Sequence, residues 1–235
     1  MARNPAEAER KARVEELRRA QKQVDRRRTM LVIGAAGALV ALLVGGVVWA
    51  VLSTAADRDM GKIGLASGAA SCDTVVVSPK DVGSVHVGAG TDKPDVKTVK
   101  YDSVPPTHGE HFASPEYPSR AFYTAADRPK IENLVHNLEH GYTVIWYTDG
   151  VSAEQKAQLE KISGLARKDE HTAGKFVVSA WDPAYGAYPA GKTVGISHWG
   201  RDHGYRQMCG AVSGEAIKSF VEAHPWSDAP EPNAQ

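Results

Sequence analysis

Nine histidines lie in the chain, and six of them form close pairs: His108 with His111, His136 with His140, and His198 with His203. Imidazole is a common nitrogen ligand for zinc and copper, and its ordinary pKa near 6.5 leaves it largely neutral and able to coordinate at pH 7. The densest run is His136-Asn137-Leu138-Glu139-His140. On a helix, residues four apart share a face, so His136 and His140 have the spacing of a two-point metal clamp, with Glu139 on its flank. A third ligand is needed. His111 is the first candidate, because the proline-rich segment 105–111 (PPTHGEH) holds it rigidly; His86 is the second, and Met208 would matter only for Cu(I). The expected metal set is His111, His136 and His140, with Glu139 orienting a ligand from behind and zinc or copper as the ion.

The same five residues match H-x-x-E-H, the inverted zinc-peptidase motif, in which both histidines bind zinc and the glutamate is the general base. Such enzymes use a long helix and a further acidic ligand. Here Gly141 and an apolar run follow at once, and Glu215 is the only well-spaced acid. A peptidase therefore ranks below metal storage or sensing. The competing class is a non-catalytic envelope interaction module whose histidines are structural, with Glu139 neutralising one of them. The chain has no G-x-S-x-G nucleophile elbow, no phosphate-binding glycine loop and no C-x-x-C pair, so no catalytic residue and no organic cofactor is nominated. Tyr142, Trp146, Trp181 and Trp199 read as core or rim aromatics.

The elements that must position these residues are legible in part. After residue 129, Ile131, Leu134, Val135 and Leu138 follow helical periodicity, with Asp127 expected as N-cap and Gly141 as C-cap. Strands are expected at 73–77, 96–101, 142–147, 175–181 and 192–199, and helices at 153–167, begun by Ser152, and 214–223. Four prolines keep 102–126 out of helix. Strands and helices intermixed over one core define an α+β domain with a mixed sheet and two to three helices.

Upstream lies a different kind of sequence. Residues 30–52 carry no charge, and 23 residues at 1.5 Å rise extend about 35 Å, enough to cross a hydrocarbon core of about 30 Å. The preceding 29 residues hold ten Lys or Arg and five acids, which orients the N-terminus to the cytoplasm and residues after 52 to the far side. A cleaved signal peptide ending near residues 53–55 fits less well, since the apolar stretch and its basic preamble are both too long. The chain has 28 basic and 28 acidic residues, so removing that segment leaves 18 bases against 23 acids. This mildly acidic remainder argues against nucleic-acid binding. The expected layout is a cytoplasmic basic helical segment 1–29, a transmembrane helix 30–52, a linker 53–71, an extracytoplasmic globular domain 72–226 and a loose tail 227–235. Cys72 and Cys209 are the only cysteines and fall outside the membrane in this layout, so one disulfide is expected, stabilising by about 4 to 5 kcal/mol through the long loop it closes.

PPTHGEH at 105–111, HNLEHG at 136–141, the apolar run YTVIWY and WGR at 199–201 together resemble a family of bacterial membrane-anchored proteins catalogued as domain of unknown function 3105. The resemblance covers about residues 84–231, with His108 where the family has serine and His198 before the WG pair. It implies a single membrane span, an extracytoplasmic domain of this extent and a bacterial cell membrane as the location. It supplies no activity.

Overall fold

The computed structural model describes residues 5–80, 84–118 and 120–234. Residues 1–4 of the expected basic segment and Gln235 of the expected tail lie outside the described residues. The chain divides into two compact units, Met1–Ala55 and Ala56–Gln235. Helix α1 (Pro5–Arg58) contains the apolar run, and its portion Arg13–Trp49 is long and apolar enough to cross a membrane. Leu31, Ile33, Leu42 and Trp49 are exposed on it.

The second unit is built on a six-stranded mixed sheet. Its strands are β1 (Val76–Lys80), β4 (Phe122–Tyr123), β5 (Thr143–Tyr147), β6 (Phe176–Ala180), β7 (Val194–Trp199) and β8 (His203–Cys209), in the spatial order β1-β8-β7-β5-β6-β4. Strand β6 runs parallel to β5 and β4, while β7 is antiparallel to β5 and β8. Alternation along the central strands divides the side chains between two faces. Ile145, Tyr147, Phe176, Val178, Val194 and Ile196 enter one core, closed by helices α3 (Ala153–Ala166) and α4 (Gly214–Ala223). Val144, Trp146, Val177 and Trp199 enter the other, closed by helix α2 (Ile131–Glu139). Helices on both faces of a sheet whose middle strands are buried give three layers, an α+β architecture with three helices in this unit among the described residues.

Several elements depart from what periodicity suggests. Strand β8 lies next to the edge of the sheet although HGYRQMC carries no apolar alternation; its polar side chains are partly exposed beside β1, and only Gly204, Met208 and Cys209 are buried. Residues 96–101 alternate but join no strand, because the Val99 N–H donates to the Glu132 carboxylate (2.9 Å) instead of to a ladder. The first strand sits three residues later than expected and contains Pro79, which an edge strand tolerates. Helix α2 starts at Ile131 with Lys130 as an N-cap lacking a side-chain bond, while Asp127 instead accepts from the Thr124 N–H and hydroxyl. Ser152 caps α3 as expected, accepting from Gln155 N–H. Residues 59–71, linker-like in composition, pack onto the domain: Met60 and Ala70 are buried, and Leu65 N–H donates to Val212 O at 2.9 Å. Cys72 and Cys209 are joined, fastening the segment before β1 to the end of β8.

Candidate metal centre

Two short strands and one helix assemble the site. Strands β2 (His86–Val87) and β3 (His111–Phe112) pair in parallel with His86 directly beside His111. Equivalent positions of a parallel pair project the same way, so sequence-distant imidazoles become neighbours, with ring centroids 4.8 Å apart. Helix α2 packs over β3 and contributes His136 and Glu139, three apart and hence on adjoining positions of one face. His136 stands 4.9 Å from the His86 ring and 4.8 Å from the His111 ring, completing a triangle of imidazoles. Ligand atoms of His86, His111, His136 and Glu139 all lie within 4.8 Å of one another.

Backbone carbonyls set the direction of two rings. His111 Nδ1–H donates to Gly109 O (2.8 Å) and His136 Nδ1–H to Phe112 O (2.6 Å). Each bond fixes a tautomer whose opposite nitrogen, Nε2, carries a lone pair, which is how proteins orient histidines toward a metal. His111 Nε2 faces Glu139 Oε2 at 3.0 Å, and His86 Nε2 approaches the same oxygen at 3.9 Å. Neither Glu139 oxygen nor His111 Nε2 has a well-formed hydrogen bond, and all three atoms are buried. Two electron-pair donors in contact repel unless a cation or a proton lies between them, so this is a place made for one. Burial tends to raise the Glu139 pKa, but with a proton between Glu139 and His111, hydrogen bonding from His111 and Ser84 and the charges of His111 and His136 outweigh it and hold the carboxyl below its ordinary value, ionised at pH 7. Burial pushes His136 down to about 4, against a smaller opposing effect of its bond to Phe112, so it is neutral there.

The helix is buried on nearly every side, and its polar face is no exception. Asn137 pairs with both the N–H and carbonyl of Glu116 (2.9 and 2.7 Å), Asn133 donates to Ser114 O (2.7 Å), and Glu132 accepts from Tyr185 OH (2.7 Å) as well as Val99 N–H. The loop 84–118 thus covers His136 and Glu139. The face opposite the apolar stripe meets this loop rather than water. Trp199 of the WGR segment is fully buried with its ring 5.7 Å from His111, beneath the cluster. His86, with 42% of its side chain exposed, is the open side.

The sequence-derived candidates separate into two sets. His111, His136 and Glu139 come together, His86 joins them, and Glu139 takes part directly. His140, the C-cap residue of α2, belongs to an adjoining set with Glu139 and Glu231; its Nε2 is 3.0 Å from His136 Nε2 and 3.7 Å from Glu231 Oε2. Glu231 was missed by sequence reasoning because its segment reads as a loose tail. Its N–H donates to Glu139 O at 3.0 Å, and neighbouring Ala229 is buried. Glu215 lies elsewhere, at the start of α4, accepting from the Ser67 N–H and hydroxyl, so it is not the further acidic ligand that the peptidase motif requires. In that motif the glutamate stays off the metal, whereas Glu139 here sits among the ligand atoms. Met208 lies on β8 opposite Gly195. His198 is buried on β7 beneath the Tyr142 carbonyl, and His203 bonds to Ser78 O (2.9 Å).

The fold and this cluster define an α+β domain with a buried, imidazole-rich centre containing an ionised carboxylate. The chain belongs to the family described as Protein of unknown function (DUF3105), whose model matches residues 93–235. His111, His136, Glu139, His140 and Glu231 fall inside that match, and His86 lies just before it. No curated protein and no solved structure matches the chain.

Proposed function

We propose that this protein is a membrane-tethered metal-binding domain that takes one divalent transition ion, zinc or copper, on His86, His111, His136 and Glu139. The observation that carries this reading is the convergence of three imidazole nitrogens and a buried carboxylate within 4.8 Å, with two imidazoles oriented from behind by backbone carbonyls. Imidazole and carboxylate donors without sulfur suit divalent ions rather than Cu(I). The role is storage, sensing or delivery of the ion.

On this reading the domain lies outside a bacterial cell membrane and the N-terminus is cytoplasmic. Support comes from the basic flank of the apolar helix and from the Cys72–Cys209 disulfide, which belongs to oxidising compartments. Maleimide labelling of a cysteine introduced at Gln21 in intact cells checks the orientation: protection supports it, and labelling by an impermeant reagent overturns it.

The test of the metal reading is metal analysis and thermal melting of untagged, full-length protein in detergent, with and without chelator. Stoichiometric zinc or copper and a melting shift abolished by His111→Ala and His136→Ala together support the centre. A metal-free protein with no shift overturns it. The second reading, an interaction module with structural histidines, draws on the other imidazoles: His171 bonds Asp169, His203 bonds Ser78 O, and His224 stacks on Tyr205 at 3.8 Å. It predicts no metal response.

A further inference from the structure

Glu139 belongs to both ligand sets. The first is nitrogen-rich (His86, His111, His136, Glu139) and the second is oxygen-rich (Glu139, His140, Glu231), with the ligand atoms of each set within 4.8 Å of one another. Resting on the metal reading above, we propose that the centre is dinuclear: a second divalent ion binds Glu139, His140 and Glu231, and the Glu139 carboxylate bridges the two ions.

Both Glu139 oxygens are buried without a well-aligned hydrogen bond, with Oε2 3.0 Å from His111 Nε2 and Ser84 beside the carboxylate, although a lone buried carboxylate ordinarily satisfies both oxygens. A carboxylate with one oxygen on each cation resolves this, and ions so bridged sit about 3.5 to 4 Å apart. The histidines divide accordingly. His136 Nε2 and His140 Nε2 share a hydrogen bond 3.0 Å long and the two residues belong to different sets, so two ions in place of that proton would take adjacent nitrogens.

The third ligand is held by main-chain bonds. Glu231 N–H donates to the Glu139 carbonyl (3.0 Å). Lys175 Nζ gathers the carbonyls of His140 (2.7 Å), Pro232 (2.7 Å) and Ala234 (2.9 Å), tying the end of α2 to the segment that carries Glu231. Arg201 N–H donates to Asp228 O at 2.6 Å, fixing the same segment upstream. The side chain of Glu231 is 54% exposed, so the second position opens to solvent and exchanges its ion more readily than the buried first.

Charge supports the pairing. Two divalent ions bring four positive charges against two carboxylates, leaving an excess that favours an anionic bridging ligand such as hydroxide, the arrangement by which paired ions hold an oxygen nucleophile or an oxyanion. Imidazole-rich and carboxylate-rich positions also differ in affinity, so the ions enter in sequence, the nitrogen-rich position first.

The experiment is calorimetric titration of chelator-stripped, untagged full-length protein with zinc, together with elemental analysis after dialysis, for the wild type and Glu231→Gln. The expected result is two equivalents for the wild type, a tight one and a weaker one. In Glu231→Gln the weaker dissociation constant rises about 10- to 100-fold or more while the tight one is unchanged. Because the Glu231 side chain is mostly exposed, the metal-free variant melts with the wild type, which checks that it is folded. One equivalent in both proteins overturns the second position and leaves the mononuclear reading standing. Two equivalents unaffected by Glu231→Gln also overturn it, since the second ion then sits elsewhere. No binding overturns both.

Discussion

Replacing Glu139 by glutamine keeps its shape and removes its charge, and the structure dictates a separate effect in each of the two metal states. In the metal-free protein the contacts with His111 and Ser84 that hold the carboxyl below its ordinary pKa favour the charged form, so neutralising it lowers stability. In the metal-bound protein it removes a ligand. With zinc at 100 times its dissociation constant the wild type gains about 2.7 kcal/mol. At about 2 to 4 °C per kcal/mol for a domain of this size, its melting point rises by about 5 to 11 °C. Weakening zinc about 10- to 100-fold reduces the gain to about 1.4 to 0.4 kcal/mol at the same zinc concentration, a rise of about 1 to 6 °C. The assay is thermal melting of wild type and Glu139→Gln across a zinc series, each with a chelator control. A full zinc shift in the variant would remove Glu139 from the ligands. A metal-free variant as stable as the wild type would show that the contacts with His111 and Ser84 do not favour the carboxylate, and the reasoning fails there too.

Acid provides an independent check away from the ligands. His198 is fully buried, and burial together with His224 pushes it down to about 3 from 6.5, so the folded state holds it neutral. Its contribution is complete above about pH 6.5 and is lost by up to about 1.4 kcal/mol per pH unit as the pH falls toward 3; urea unfolding between pH 7 and 4 should show this slope, reduced in His198→Leu. Reducing the Cys72–Cys209 bond is expected to lower stability by about 2 to 5 kcal/mol, read by urea unfolding with and without reductant. Glu132→Ala strands the Val99 N–H and Tyr185 OH and is expected to cost about 2 to 4 kcal/mol in urea unfolding, with metal binding weakened only as far as α2 shifts.

Much of the scaffold is legible from apolar periodicity. The stripe Ile131, Leu134, Leu138 and the runs TVIWY and FVVSA mark α2, β5 and β6, because burial of those residues is what forms them. Strand β8 escapes the same reading, since near the sheet edge its polar residues need no apolar alternation. The candidate site shows the same divide. His136 and Glu139 are recognisable from their spacing on one helix, a local property. The pairing of His86 with His111 is not, because two-residue strands leave no periodic trace. Glu231 is invisible for a related reason: WSDAPEPNAQ has the composition of a loose end, and what orders it is Lys175, a lysine distant in sequence, just before β6, that collects its carbonyls. Polar residues on α2 suggest exposure, yet a loop of mostly irregular backbone spends its hydrogen bonds on them.

The parallel pairing of His86 with His111 also bears on the order of folding. The ligands come from separate stretches of chain: His136 and Glu139 share α2, but neither meets His86 or His111 until β2 has found β3 and the loop has closed over α2. Local contacts form early and such distant pairings late, so an ion has no assembled cage to enter while the sheet is still forming. Metal uptake then marks the end of maturation: added zinc leaves the refolding rate alone and slows unfolding.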